Sequence, residues 1–99
     1  MKPSIPEAMD QAAQLLSQKN GNRPLTKKEI IDETLKQGNP TWSRTSVMPD
    51  DFCYNRKNKG SRPDDLCIFV TLNPEKNGGP YEYKGKNYVH TGPVFKTWA

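Results

Sequence analysis

Residues 41–62 read TWSRTSVMPDDFCYNRKNKGSR, and they separate a first half rich in helical patterns from a second half rich in strand patterns. The pattern predicts a short helix that runs out into a basic loop rich in side-chain amides. The stretch also holds the densest group of cationic side chains in the chain: Arg44, Arg56, Lys57, Lys59 and Arg62. Because only two acidic residues oppose them, we interpret the stretch as the surface that meets a partner, with nucleic acid as the first candidate.

The composition predicts one small folded domain over residues 1–99. The chain is 32% hydrophobic and 26% charged, and its formal net charge is +4. A charge of this size is too small to hold nucleic acid by itself, so binding must depend on local clustering. No apolar run approaches the roughly 20 residues that cross a bilayer, and the first residues, MKPSIP, lack the apolar centre of a signal peptide. We therefore expect a cytoplasmic protein with two free cysteines and no membrane partner.

Two capping boxes predict the first two helices. The sequences SIPE at 4–7 and TKKE at 26–29 both have the S/T-x-x-E form, in which the first and last side chains satisfy each other's backbone N–H groups. Apolar residues at helical spacing follow each box, and an Asn-Gly pair or a glycine ends each pattern. The expected helices span residues 5–19 and 27–37.

The patterns after residue 40 are shorter. A third helix is expected over 46–54, with Pro49 in its first turn, where a missing N–H costs nothing. Runs rich in β-branched and aromatic residues predict strands over 66–72, 81–84 and 87–90, the last two joined by a tight turn at Lys84 to Asn87. The predicted core residues are Ile31, Leu35, Trp42, Phe52, Ile68 and Val70.

This order of elements predicts an α+β fold of the winged helix-turn-helix kind, with three helices followed by a β-hairpin wing. In that plan the third helix enters the major groove of duplex DNA and the wing lies on the backbone. Hydroxyls before the third helix would hold a phosphate, amides after it would read base edges, and lysines at the wing tip would contact the backbone. The predicted contact residues are Ser43, Arg44, Thr45, Ser46, Asn55, Arg56, Lys57, Asn58, Lys59, Lys84 and Lys86.

The same residues carry a family resemblance. The run SVMPDDFCYNR at 46–56, with NKG at 58–60, resembles a small bacterial helix-plus-hairpin module found with HNH-type nuclease domains in restriction-like systems. The run YEYKG at 81–85 is similar to the C-terminal half of that module. The resemblance covers about half of the chain, and it implies a DNA-reading accessory domain for duplex DNA, modified or not, in a longer chain or beside a nuclease. Since the chain has one histidine, His90, the resemblance carries over no cleavage.

Other chemistries have weaker signals. Cys53, Cys67 and His90 lack the close ligand pairs and the fourth ligand of a zinc site, so we expect no metal and no cofactor. No paired base accompanies either thiol, and we expect no enzyme. The tyrosines of the second half could stack on unpaired bases, although burial in a small core is the expected fate of most of them.

A second function hypothesis remains open beside the DNA-binding module. The chain could instead be a protein-interaction module, such as a small regulator or a phage-type inhibitor, whose basic face docks on an acidic protein. Paired amides favour DNA, because a contact made by charge alone does not need them. An exposed apolar patch beside the basic face would favour a protein partner.

Overall fold

The computed structural model describes residues 3–58, 61–76 and 78–97. Its first half contains two packed α-helices, α1 (Ile5–Lys19) and α2 (Lys27–Gln37), which have the bounds that the sequence predicts. Both capping boxes form: Ser4 accepts a hydrogen bond from the backbone of Glu7, and Thr26 accepts one from that of Glu29. No helix in the described ranges is long and apolar enough to cross a membrane.

The segment expected to form a third α-helix over 46–54 forms two short 3-10 turns instead, Arg44–Ser46 and Pro49–Phe52. Pro49 has no N–H to donate to a preceding turn, so it begins a new turn rather than continuing one. Long-range pairing then ends this turn: Tyr54 N donates to Phe69 O at 2.8 Å, and Ile68 N donates to Phe52 O at 2.9 Å. These bonds keep the chain extended after Phe52, and the prediction of one α-helix is corrected.

The second half contains four short strands in two pairs. β2 (Phe69–Thr71) and β3 (Tyr81–Tyr83) are antiparallel, with Val70 opposite Glu82. β1 (Arg56–Lys57) and β4 (Phe95–Lys96) are parallel, with Lys57 opposite Lys96. The chain therefore has a mixed α+β fold, as predicted. The strand expected over 66–72 is shorter because a 3-10 turn occupies Asp64–Leu66.

The hairpin also differs from the expected one. Residues 87–90 form no strand, and the connected pair is β2–β3, joined by residues 72–80. Leu25, in the α1–α2 connection, exchanges two backbone hydrogen bonds of 2.8 Å with Tyr81. Because β3 lies between Leu25 and β2, it has no free edge at Tyr81 for a further strand. The chain leaves β3 at Gly85, whose carbonyl accepts from the Tyr54 hydroxyl at 2.7 Å.

The core lies between the two helices and the β2–β3 hairpin. One polar network enters it: Tyr81 donates to the buried Asp50 carboxylate at 2.7 Å, and Lys27 Nζ lies 3.0 Å from the other oxygen of that carboxylate. Desolvation raises the pKa of Tyr81, with Asp50 adding to the shift, so the phenol stays a donor.

Among the predicted core residues the structure buries Ile31, Phe52 and Ile68 and half-buries Leu35, Trp42 and Val70.

Candidate nucleic-acid interface

A cleft of about 920 Å³ opens between the segment after the 3-10 turns and strand β4. Three cations, Lys57, Arg62 and Lys96, lie in its wall, together with the polar groups of Asn58 and Ser61. Asp64 is the one acidic residue among the described lining residues. We call this the basic cleft. Its full lining is Tyr54, Lys57, Asn58, Ser61, Arg62, Pro63, Asp64, Val94 and Lys96.

Local hydrogen bonds hold one wall of the basic cleft in place. Asn58 N donates to Ser61 Oγ at 2.8 Å, and that hydroxyl lies 3.2 Å from Asn58 Oδ1. Arg62 N donates to Asp51 O at 2.8 Å, and the Arg62 guanidinium lies 5.5 Å from the centre of the Phe52 ring. Because Phe52 belongs to the core, the position of Arg62 depends on how the core packs.

Lys57 is a partly buried cation of the basic cleft, with 16% of its side chain accessible. Its Nζ lies 2.7 Å from Asp64 Oδ1 and 3.2 Å from Cys67 Sγ. Burial opposes the charge on Lys57, but the hydrogen bonds to Asp64 and Cys67 outweigh it, and the pKa of Lys57 is raised. The ammonium therefore stays charged at neutral pH and contributes to the positive potential of the cleft.

A second cleft of about 370 Å³ adjoins the basic cleft and shares Tyr54, Asp64 and Val94 with it. We call it the aromatic cleft. The Tyr54 and Tyr88 rings lie 5.2 Å apart and tilted in its wall, and Lys84 Nζ lies 5.6 Å from the centre of the Tyr88 ring. The remaining lining residues are Asp65, Lys86, Val89 and His90.

The structure brings together only part of the predicted contact set. Lys57 and Asn58 line the basic cleft, Lys86 lines the aromatic cleft, and Lys84 lies on the Tyr88 ring. Lys59 lies outside the described residues. Arg62 belongs to the cationic group of residues 41–62 but was not among the predicted contact residues, and Lys96 was in neither set. No local pattern marks Lys96, because only the parallel pairing of β4 with β1 brings it to the cleft.

Four predicted residues lie elsewhere. Ser43 caps the first 3-10 turn, accepting from Thr45 N at 3.2 Å, and Arg44 donates to Asp32 Oδ1 at 2.8 Å on α2. Ser46 ends that turn and is exposed. In the described part of the chain, none of these four residues lines either cleft.

Two further predicted contacts are corrected, because Asn55 and Arg56 are buried. Asn55 Nδ2 donates to Thr71 O at 2.8 Å, and Thr71 N donates to Asn55 Oδ1 at 2.9 Å, so both ends of the amide are used within the fold. The Arg56 guanidinium donates to the Pro74 carbonyl and lies 5.6 Å from the centre of the Phe95 ring. Asn55 and Arg56 therefore fix the loops around β1 and cannot reach base edges.

This arrangement predicts that Asn55→Ala is a stability change. The loss of its amide leaves the backbone N–H and carbonyl of Thr71 without partners, and since each such group costs about 1–3 kcal/mol, we expect the free energy of unfolding to fall by about 2–6 kcal/mol. Urea unfolding measures the loss. Asn87→Ala, at an exposed asparagine, should change the value by less than about 0.5 kcal/mol. An Asn55→Ala protein of unchanged stability would contradict the buried role of the amide.

The cysteines are both buried and free. Burial raises the pKa of both thiols, which makes them poor nucleophiles. Within the described residues, no group of three or more histidine, cysteine or acidic side chains is placed to hold a metal ion.

Comparisons with known proteins give a family and one curated relative. The chain is similar to the Bacillus subtilis (strain 168) protein described as "Uncharacterized protein YnaC", with 31% identity over 78 residues, or 79% of this chain and 27% of that protein. The chain thus spans about a quarter of the length of this relative. No solved structure matches. The family model described as "Domain of unknown function (DUF7225)" matches residues 7–98, a range that includes both clefts. The chain therefore belongs to the DUF7225 family.

Proposed function

We propose that the chain is a non-catalytic DNA-binding module whose basic cleft holds the phosphate backbone of a duplex. The observation that carries this proposal is the convergence of Lys57, Arg62 and Lys96 on one concave surface. Lysine and arginine side chains supply most of the affinity for nucleic acid by releasing condensed counterions from the phosphates. Asn58 adds a side-chain amide, whose NH₂ group can donate to a phosphate oxygen, while the Ser61 hydroxyl holds the amide in place by donating to its Oδ1.

The proposed architecture is related to the winged helix-turn-helix plan. Its support is the order of elements and the antiparallel bridge between Leu25 and Tyr81, which places the α1–α2 connection beside the hairpin. The wing of this arrangement is the connection at 72–80 rather than the turn at 84–87. Two 3-10 turns occupy the position of the recognition helix, and Asn55 is buried. We therefore propose contact with the DNA backbone, without an α-helix inserted in the major groove.

The proposed setting follows from the family resemblance and the relative. Two free thiols suit a reducing cytoplasm. The match covers about a quarter of the length of YnaC, as expected if the same module forms one part of a longer protein. We propose that the module delivers a larger chain, or a partner such as a nuclease, to DNA.

A protein-interaction module is the second candidate, and the exposed C-terminal segment favours it. Val89, Val94 and Phe95 are 78%, 41% and 39% exposed. Val94 lines both clefts, so apolar surface does lie beside the basic cleft. An acidic protein with an apolar rim could dock there.

Fluorescence anisotropy with a labelled 20-base-pair duplex separates the two candidates. If Lys57, Arg62, Lys86 and Lys96 each neutralise one phosphate, the slope of log K against log salt is about −3.6, and affinity falls about 10²-fold between 50 and 200 mM salt. Association that is absent even at millimolar protein in low salt would overturn the DNA-binding proposal and favour protein docking.

A further inference from the structure

We propose that the aromatic cleft receives an unpaired nucleobase, guanine in preference to the other three, next to the backbone held by the basic cleft. This inference rests on the proposed function and extends it from the backbone to a base. The aromatic cleft, of about 370 Å³, is within the size range of small-ligand sites, which begins near about 300 Å³.

The two clefts share a wall. Tyr54, Asp64 and Val94 line both of them. A nucleotide joins its phosphate and its base through one sugar, so the two ends of a nucleotide lie in neighbouring sites. A phosphate beside Lys57 and Lys96 would therefore leave its base close to the shared wall.

The wall of the aromatic cleft suits the face of a base. Tyr88 packs between Tyr54, at 5.2 Å, and His90, at 6.3 Å between ring centres. The Tyr54 hydroxyl is tied to the carbonyl of Gly85, which fixes the orientation of that ring. Val89 is 78% exposed at the same cleft. Aromatic and apolar side chains stack on any base that has left the double helix, because every base presents a π-face.

The polar groups of the aromatic cleft determine which hydrogen-bonding edge of a nucleobase can enter it. Asp64 and Asp65 present carboxylate oxygens, which only accept hydrogen bonds. Asp64 is held in place by Lys57 at 2.7 Å. His90 Nε2 lies 3.0 Å from the Pro93 carbonyl, and this contact holds the imidazole in the wall of the cleft.

The two carboxylates of this cleft favour a base with adjacent donors on one edge, and the Lys86 ammonium in the same lining can donate to an acceptor next to those donors, such as guanine O6. Guanine presents N1–H and the N2 amino group side by side, so it can donate twice to one carboxylate. Adenine and cytosine each present one amino group beside a ring acceptor, and thymine presents one N–H between two carbonyl oxygens. The carboxylates repel these acceptors, and guanine is therefore preferred.

The test compares one duplex that carries a single unpaired G, A, C or T with the same duplex fully paired. We expect the unpaired G to raise affinity about tenfold over the paired duplex and over unpaired A, C or T, the order expected for one bidentate contact. Because Asp64 Oδ1 is engaged by Lys57, Asp65 is the carboxylate proposed to accept both donors, and Asp65→Asn, at an exposed residue, should abolish the preference for G. Because this change also removes a negative charge, the readout is the ratio of affinities for the bulged and paired duplexes.

Two further variants complete the design. Tyr88→Ala should reduce that ratio to about one while the paired duplex still binds, and Asp65→Asn carries the test alone if Tyr88→Ala unfolds. Glu75→Gln, an exposed acid outside both clefts, is the matched control and should keep the preference for G. Equal affinities for paired and bulged duplexes, or a bulge advantage shared by all four bases, would overturn the inference and leave the proposed function standing. Absence of binding to every duplex would overturn both.

Discussion

Replacing Phe52 by alanine is expected to lower the free energy of unfolding by about 3–5 kcal/mol, the usual cost of removing a buried aromatic ring. Phe52 is 1% exposed and belongs to the main core. It also lies at the point where the 3-10 turns meet strand β2, because its carbonyl accepts from Ile68 N at 2.9 Å. The loss would be a large part of the stability of a chain of this size, and urea unfolding measures it.

Phe52→Ala should also alter the position of Arg62 in the basic cleft. The Arg62 guanidinium lies over the Phe52 ring, so a smaller side chain at 52 removes the surface on which Arg62 rests. Leu72→Ala, at a residue that is 49% exposed, is the control and should alter stability by less than about 0.5 kcal/mol. A loss below about 1 kcal/mol for Phe52→Ala would show that the ring is not packed as the structure has it.

The second large effect is on binding. The double change Arg62→Ala, Lys96→Ala should weaken duplex binding about 10²-fold at 50 mM salt and reduce the salt slope by about two units, because each lost phosphate contact removes close to one released counterion. The loss should be the same for every fully paired duplex sequence, since charges ignore base identity. Anisotropy titrations at several salt concentrations give both numbers.

A matched change of charge tests whether position matters. Lys19→Ala with Lys36→Ala removes two exposed cations at the ends of α1 and α2, outside both clefts. This control should keep most of the affinity and the salt slope. If it weakens binding as much as the change at Arg62 and Lys96, the net charge and not the basic cleft determines the affinity.

The sequence predicts best where structure depends on neighbouring residues. Each of the two α-helices begins at a capping box, an interaction between side chains three residues apart, and both have the expected bounds. The conformation of the segment at 46–54 is not set by neighbouring residues. Its conformation depends on the backbone bonds of Phe52 and Tyr54 to Ile68 and Phe69, which no local pattern contains.

In the candidate site, too, the residues set by local sequence were predicted and those set by long-range contacts were not. Clustering of polar and charged residues in the sequence picked out Lys57 and Asn58, neighbours in the chain that both line the basic cleft. It misassigned Asn55, because an asparagine that reads a base and one that holds a buried backbone have the same sequence signal. Lys96 was missed because the return of the C-terminal segment onto β1 is a long-range pairing.

The central claim, that the basic cleft is the surface that meets DNA, is tested most directly by NMR. Backbone amide shifts of the labelled chain are followed while a paired duplex is added at low salt. We predict that the largest changes fall at residues that line the cleft, such as Lys57, Ser61 and Lys96, and that α1 is unaffected. Shift changes confined to the exposed faces of α1 and α2, or no changes at saturating duplex, would contradict the account.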